Sequence, residues 1–377
     1  MNIITLGGCG AMGRATSYEL AGRTDTELTI ADADIDTARE LAADLPGEVE
    51  TEKVDVTDHN HLVDVLSEAN VVANALPYAF NIDVMEACLE ADAHYLDLGG
   101  LYHKTQEQLE LDEAFDEAEL TAVLGIGASP GLTNVAAAMG ASHLDQVDEV
   151  HIRTGAKGGG EGFAYSAKTI LDELTMNPIV FEDGDFVELE PLSGRETYTM
   201  PDPVGEVEGF HSIHSELATM PYTFDGVETV DFRVAFSPDL VNICDVLIGL
   251  NLTSEKEIEF KNTTFTPREF LDWHLDQQPK PGAVEEWKSF RVDVTGKENG
   301  EDAQYQYSVV VESRLDDWGL KATAVWTGVP MGIAAELVGR GEALQTGAKP
   351  PEQLLNPEQF IDELQKRDIV INENKMT

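Results

Sequence analysis

Basic residues and cysteine are the two things this chain has least of for its size. Lys and Arg number 24 against 71 Asp and Glu, a formal charge of −47 over 377 residues. A surface so poor in cations repels phosphate backbones and anionic lipid alike, which excludes nucleic acid and membrane surfaces as partners. The three cysteines, Cys9, Cys88 and Cys244, are odd in number and form no C-x-x-C pair. Neither a disulfide framework nor a zinc ribbon is therefore expected, and no metal. Free thiols of this kind fit a reducing, cytoplasmic setting. No basic stretch followed by an apolar core opens the chain, so no export signal is expected. One uncharged run, residues 121–142, is long enough to span a bilayer, but Ser129-Pro130-Gly131 interrupts it. It reads as a buried strand, a turn and a helix.

What is present is a foldable chain. Hydrophobic residues make up 42%, enough for a core in each of the two or three domains that the length suggests. The acids are scattered among normal apolar periodicity, which argues against a disordered acidic tail. A folded protein with this balance matches one that keeps its surface hydrated in concentrated salt, and a halophilic origin is expected.

The most informative stretch lies near the start. An apolar run, Ile3-Ile4-Thr5-Leu6, leads into Gly8-Cys9-Gly10-Ala11-Met12-Gly13, then into a helical pattern over residues 14–21 and a second apolar run over 28–31 that ends in Asp32. Strand, glycine loop, helix, strand and an acid about 20 residues on is the order of a dinucleotide-binding βαβ unit. Gly8 permits the tight turn, Gly10 lets backbone approach a pyrophosphate, and Gly13 lets helix and strand pack closely. The amides of Ala11, Met12 and Gly13 would then face the phosphates at the helix N-terminus. Asp32 would accept from the ribose hydroxyls and repel a 2′-phosphate, which favours NAD over NADP. Cys9 reads as a small filler in this loop.

The alternation continues through residue 126, predicting six parallel strands with helices on both faces. The third strand is expected over 51–56, with Asp55 and Val56 flanking the adenine. Ligands in such sheets bind beyond the carboxyl ends of the strands. Asn74, Ala75, Leu76, Pro77 and Gly99 are therefore read as cofactor contacts. The loop after the sixth strand, with Ser129 and Asn134, is read as facing substrate.

From about residue 147 the pattern changes to strand-like runs with few helices. A hairpin is predicted from 289–294 through Asn299-Gly300 to 305–311, and a further antiparallel strand over 321–326. Helical patches are expected over 167–174 and 268–275, and Gly158-Gly159-Gly160 reads as a mobile loop. The tail returns to helix from Met331 and again from Asn356, where Pro357 marks a first turn. The architecture expected is α/β. A Rossmann-type doubly wound parallel sheet (residues 1–135) precedes an α+β domain for substrate and dimerisation (136–328). A helical segment (329–377) packs back on the first domain.

At this point the chain resembles the saccharopine dehydrogenase family, and within it lysine 6-dehydrogenase. The resemblance rests on Gly8-x-Gly10-x-x-Gly13, Asn74-Ala75-Leu76-Pro77-Tyr78, residues 95–100, Ser129-Pro130-Gly131-x-x-Asn134, Gly328-Val329-Pro330-Met331-Gly332, Val338-Gly339-Arg340-Gly341 and Pro350-Pro351-Glu352-Gln353. It implies NAD(P)-linked oxidation at a carbon–nitrogen bond of lysine or a lysine adduct, in a homodimer whose central domain closes over an amino-acid substrate. Saccharopine-handling members usually carry Asp where Ser129 stands, and Arg within the stretch that reads here as residues 209–215. The few arginines of the central domain favour lysine over saccharopine, whose three carboxylates call for Arg forks. His211 is the expected proton acceptor, since imidazole titrates near neutrality. Asp97 is expected to hold a substrate ammonium or to order the Gly99-Gly100 turn, Tyr78 to line the nicotinamide pocket, and Lys168 to pair with a substrate carboxylate. Saccharopine dehydrogenase proper, another oxidoreductase on this scaffold and a non-catalytic NAD-binding sensor stand as alternatives.

Overall fold

The computed structural model describes residues 1–23, 25–160, 163, 165–278 and 282–376. The first unit runs β1 (Asn2–Leu6), α1 (Ala11–Leu20), β2 (Glu27–Asp32), α2 (Ile35–Asp44), β3 (Val49–Lys53), α3 (His59–Leu66), β4 (Val71–Asn74), α4 (Asn81–Ala91), β5 (His94–Asp97), α5 (Leu101–Leu109), α6 (Asp112–Glu117) and β6 (Thr121–Val123). Next come α7 (Leu132–Ser142), β7 (Gln146–Gly158), α8 (Ala167–Thr175), β8 (Ile179–Glu182), β9 (Asp185–Glu188), β10 (Glu196–Thr199), β11 (Glu206–His211), α9 (Met220–Thr223), β12 (Thr229–Val234) and α10 (Pro238–Gly249). A small hairpin, β13 (Ile258–Phe260) and β14 (Thr263–Phe265), leads to α11 (Pro267–Asp276), β15 (Glu286–Glu298) and β16 (Glu301–Glu312). The chain closes with α12 (Ala322–Gly339), β17 (Gly347–Lys349), α13 (Pro351–Leu354), α14 (Pro357–Gln365) and β18 (Asn372–Met376).

The first sheet has the order β17-β6-β5-β4-β1-β2-β3 and is parallel throughout. Neighbouring residues of β1 serve different cores: Ile3 packs with α1 residues Ala15 and Leu20, while Ile4 and Leu6 pack with Leu62, Leu66 and Val84 of α3 and α4. A strand buried on both faces reads as a continuous apolar run, which is why β1 and β4 lack alternation. The strand order reverses between β1 and β4, whose ends pair as Leu6 with Asn74. That switch point is where such sheets open a crevice for ligand.

The second sheet is mixed, with β7, β15 and β16 at its centre. Its core hairpin follows the prediction. Asn299 and Gly300 both have positive φ, 53° and 80°, as a two-residue hairpin turn of this hand needs.

Three expectations are corrected. The third strand spans Val49–Lys53, so Asp55 and Val56 lie in the loop beyond it. Residues 321–326 are no strand; they open α12, an 18-residue helix buried on nearly all sides. Burial all round erases the helical period, leaving β-branched residues as the local signal. The boundary expected at 328/329 therefore falls inside one helix. The tail is also not purely helical: β17 extends the first sheet and β18 the second.

No described helix is long and apolar enough to cross a membrane. Acids dominate the exposed faces, and their mutual repulsion is screened only by salt. The melting midpoint is expected to fall by at least about 10 °C between molar and millimolar KCl; equal midpoints at the two salts would remove the case for a halophilic protein.

Candidate functional site

The glycine loop forms a cradle that side chains would fill. A Cβ on Gly13 would lie 2.4 Å from the Gly7 carbonyl oxygen and 2.7 Å from Gly8 Cα, and one on Gly8 would lie 2.7 Å from Ile30 Cγ2. Gly10 caps α1 without a side-chain acceptor, and no acid sits in the first turn. The first amides of the helix, those of Ala11, Met12 and Gly13, thus keep their hydrogen-bonding capacity for an anion. Asp32 sits at the end of β2 beside them. Its carboxylate accepts from the Cys9 amide at 2.9 Å and the Asp34 amide at 3.0 Å, which fixes its direction. Burial and the neighbouring Asp32 push the Cys9 thiol up to about 12, so it stays protonated as a filler. These residues fit a dinucleotide by shape and by donor set. Asp55 is exposed and is engaged by the Thr57 hydroxyl at 2.6 Å. Val56 packs on the second core.

Beyond β4, Asn74 is buried and braces its own loop. Its Oδ1 accepts from the Leu76 amide at 3.1 Å, and its Nδ2 donates to Asn81 and Tyr95. Leu76 packs over Gly7, with Ala75 and Pro77 on the same loop. The structure thus brings Gly8–Gly13, Asp32 and 74–77 to one crevice. Gly99 lies deeper, packed on Pro130 of the loop after β6.

Asp97 does not face that crevice. It is buried, and it accepts from the Gly99 amide at 2.7 Å, the Gly125 amide at 2.8 Å, the Tyr95 hydroxyl at 2.9 Å, Asn81 at 3.1 Å and Gln108. Five donors saturate the carboxylate. Burial raises its pKa, and these donors oppose the rise. Asp97 is a turn holder that ties β5 to β6, which corrects its expected contact with a substrate ammonium.

His211 is corrected as well. It ends β11, buried in a cluster with Arg153, Asp231, Arg233, His151 and Glu196. Arg233 donates to its Nε2 at 3.0 Å. Burial, and the guanidinium beside it, push the imidazole down to about 4. A weak base whose lone pair is already engaged is poorly placed to take a proton. Asp231 is held well below the usual carboxylate range: burial would raise it, but His151 and the two arginines outweigh that.

The charges nearest the strand-end loop come instead from residues the sequence did not single out. Glu216 is completely buried, and its Oε1 accepts from the Ser129 hydroxyl and the Thr133 hydroxyl, each at 2.7 Å. Its Oε2 meets His214 Nδ1. Burial alone would raise Glu216 and lower His214, yet each shifts the other way because the partner's charge outweighs burial. They form an ion pair, with His214 stacked on Phe232 at 3.9 Å. No spacing rule places this pair against Ser129, because Ser129 and Glu216 meet only through tertiary packing.

Asn134 accepts from the Gly131 amide at 2.9 Å and donates to Glu352 at 2.7 Å. Its role is to cap α7 and tie down the tail, which corrects its expected place on substrate. Burial pushes Glu352 up to about 7. Tyr78 and Lys168 do come together, on a cleft of about 340 Å³ between the two sheets' domains. There the Tyr78 hydroxyl donates to Asp172 at 2.6 Å, and Asp172 pairs with Arg268 at 2.7 Å. Burial, followed by that carboxylate, raises the Tyr78 hydroxyl.

A larger cavity of about 440 Å³ opens on the second sheet, between β11, β15 and α10. Glu206, Glu208 and Glu286 are on its walls, with Lys288 and Arg195. Among the described residues no group of three or more His, Cys, Asp or Glu is arranged to hold a metal ion.

Two family models match the chain. One is described as the saccharopine dehydrogenase NADP binding domain and covers residues 3–123; the other, as the saccharopine dehydrogenase C-terminal domain, covers 127–370. A carboxyaminopropylagmatine dehydrogenase of Synechocystis is 26% identical over 95% of this chain and 94% of its own. A carboxynorspermidine synthase of Vibrio cholerae is 25% identical over 96% of this chain and 94% of its own. Among solved structures, apo saccharopine dehydrogenase (L-Glu forming) from Saccharomyces cerevisiae has a TM-score of 0.74 at 17% identity, covering the whole of both chains. Homospermidine synthase from Legionella pneumophila in complex with NAD has a TM-score of 0.70 at 15% identity, covering all of this chain and 91% of that one. These two structures are alike to it in fold.

Proposed function

The chain belongs to the saccharopine dehydrogenase family, and on that premise we propose that this oxidoreductase acts on the carbon–nitrogen bond of an amino acid joined to a further amine, with NAD as cofactor. The observation that carries the substrate class is the 440 Å³ cavity with three carboxylates on its walls. Glu208 pairs with Arg195 and Glu286 accepts from the Thr323 amide, and Lys288 shares the walls, so this mixed lining favours a ligand that carries an ammonium or guanidinium group beside a carboxylate and disfavours a tricarboxylate such as saccharopine. The named relatives act on carboxylated polyamines or a carboxylated agmatine, which is that chemistry. Lysine, expected from the sequence, is a smaller member of the same class.

Asp32 supports NAD, because a carboxylate fixed by two amides at the ribose position repels a 2′-phosphate. When bound, the nicotinamide accepts a hydride from the carbon bearing nitrogen, or returns one to the imine. The chain's own residues do the rest. The α1 amides and Asp32 fix the cofactor. Ser129, donating its proton to Glu216, keeps oxygen lone pairs that accept from a substrate N–H at the strand ends. The His214–Glu216 pair holds that hydroxyl's direction.

The test is an NADH absorbance assay with carboxynorspermidine, carboxyaminopropylagmatine, lysine and saccharopine, each with NAD and NADP. Fastest turnover is expected with a carboxylated polyamine or agmatine and NAD. Preference for saccharopine would overturn the substrate class, and tight NADH binding with no turnover on the panel would favour a sensor.

A homodimer is part of the same reading. Ile243, Val246 and Leu250 of α10 and its end, Phe260 of β13, and Phe270 and Trp273 of α11 are more than half exposed. Among the described residues the β13–β14 hairpin pairs with no further strand, and a two-stranded ribbon is marginal alone. A second copy is the occupant that the charge favours, since association through this apolar face buries few of the chain's 71 acids against one another. Light scattering is expected to give twice the 41.1 kDa chain mass, and Val246→Glu to give the single mass. A wild-type monomer in molar salt would end this reading.

A further inference from the structure

The larger cavity contains a cation without a partner. Lys288 projects from β15 into it, half-buried, with Nζ 5.6 Å from the centroid of the Trp326 ring. Among the described residues Nζ makes neither a hydrogen bond nor an ion pair. The carboxylates whose charge reaches it are those of Glu286 and Glu173. Each is already engaged: Glu286 accepts from the Thr323 amide at 2.7 Å, and Glu173 from the Tyr165 hydroxyl at 2.7 and 2.8 Å. The neighbouring Lys321 gives its ammonium to the Gly159 carbonyl at 2.7 Å. Burial pushes the Lys288 ammonium's pKa down. A half-desolvated cation left unpaired carries a cost that an incoming anion offsets.

The arginines that would otherwise take a carboxylate are committed. Arg153 and Arg233 hold Asp231 and Glu196, Arg268 holds Asp172 and Asp272, and Arg291 holds Asp293. Arg195, at the cavity mouth, is half-exposed and paired with Glu208. Lys288 is linked to the strand-end loop through α12. The Thr323 amide of its first turn donates to Glu286 and the Trp326 ring lies under Lys288 Nζ, while Thr327 touches the position above Gly127, in the loop after β6. The next residue, Gly328, packs against Met12 and Ala15 of α1. Adjacent turns of one helix thus contact both the surroundings of Lys288 and the loop that carries Ser129.

We propose that Lys288 is the substrate's carboxylate anchor, pairing with the amino-acid carboxylate while Glu206, also on the cavity wall, receives the distal ammonium or guanidinium. The substrate therefore carries a carboxylate at one end and a cation at the other, with the reacting nitrogen between them. This rests on the reading above for the substrate class and adds the residue that orients it.

The test separates binding from turnover. Calorimetry on the NADH-loaded protein would use the same four-compound panel, with norspermidine and agmatine as counterparts lacking the carboxylate. Lys288→Met is expected to weaken binding of the carboxylated ligand by about 10- to 100-fold, and Lys288→Arg by under about 5-fold. The counterparts are expected to bind both forms alike, and NADH affinity to stay unchanged. Carboxylate-dependent binding lost in Lys288→Met upholds the anchor even where no compound turns over, in which case only the reaction assigned above fails. Equal affinity of wild type and Lys288→Met for carboxylated ligands overturns the anchor even where turnover is found. Absence of binding by every carboxylated compound to wild type overturns both.

Discussion

Gly10→Ala is expected to weaken NADH binding at least about 100-fold while moving the melting midpoint by no more than about 1 °C. Gly13→Ala is expected to damage both. The contrast follows from what an added methyl would meet. Gly10 has φ −67° and ψ 163°, a conformation alanine adopts freely. A Cβ there would meet only the Gly7 carbonyl oxygen, at 3.3 Å. The free protein takes it if the Gly7 carbonyl gives by a few tenths of an ångström; a pyrophosphate resting on the helix N-terminus leaves no such slack. At Gly13 the methyl collides with backbone, 2.4 Å from the Gly7 oxygen and 2.7 Å from Gly8 Cα. Helix and loop must part, and overpacking of this kind costs about 1–3 kcal/mol. Fluorescence titration with NADH, run beside thermal melts, reads both quantities. Undiminished NADH affinity in Gly10→Ala would mean that the loop is not the phosphate cradle.

Arg367→Met is expected to be the most destabilising single change in the tail, by about 3–5 kcal/mol. Arg367 is buried in the turn that follows α14 and holds three carboxylates. Its Nε donates to Glu19 of α1 at 2.6 Å, its Nη2 to Glu336 of α12 at 2.8 Å, and its Nη1 to Glu363. Glu19 and Glu336 are each only 4% exposed. Methionine preserves much of the volume but takes the closest cation from two buried charges, leaving Glu19 with Arg23 and Glu336 with Arg23 and Arg340, each 3.7 Å from it. A melting midpoint lower by roughly 10 °C is expected from that loss. The triple variant Arg367→Met, Glu19→Gln, Glu336→Gln should recover much of it, since the stranded charge is the cause. A shift below about 2 °C in the single variant would show that the cluster is not what fastens α14 to the first domain.

How legible the site was depended on how local its parts are. The β1–loop–α1–β2 unit lies within 32 residues, so the spacing of Gly8, Gly10, Gly13 and Asp32 is set by one turn and one helix. The Asn299-Gly300 hairpin was legible for the same reason. Helix α12 was not: Lys321–Trp326 looks like a strand because a helix buried on all sides carries no periodic face. His211 drew attention as an imidazole in a motif-like stretch, but burial, and then Arg233 on another strand of the sheet, push its pKa down. Asp97 sits where a strand end should meet ligand, and only the five donors around it reveal a structural carboxylate. Glu216 and Lys288 gave no local signal.

By itself, then, the sequence determined the cofactor half. It set the parallel sheet, its glycine loop, the acid that ends the second strand and an acid-rich surface, because each is written in neighbouring residues and short-range backbone geometry. Tertiary structure alone decided the substrate half. Which carboxylates are neutralised, which arginines are already engaged and which cation is left facing a cavity depend on side chains brought together from distant parts of the chain. Burial then fixes the charge of each through the partners it meets there.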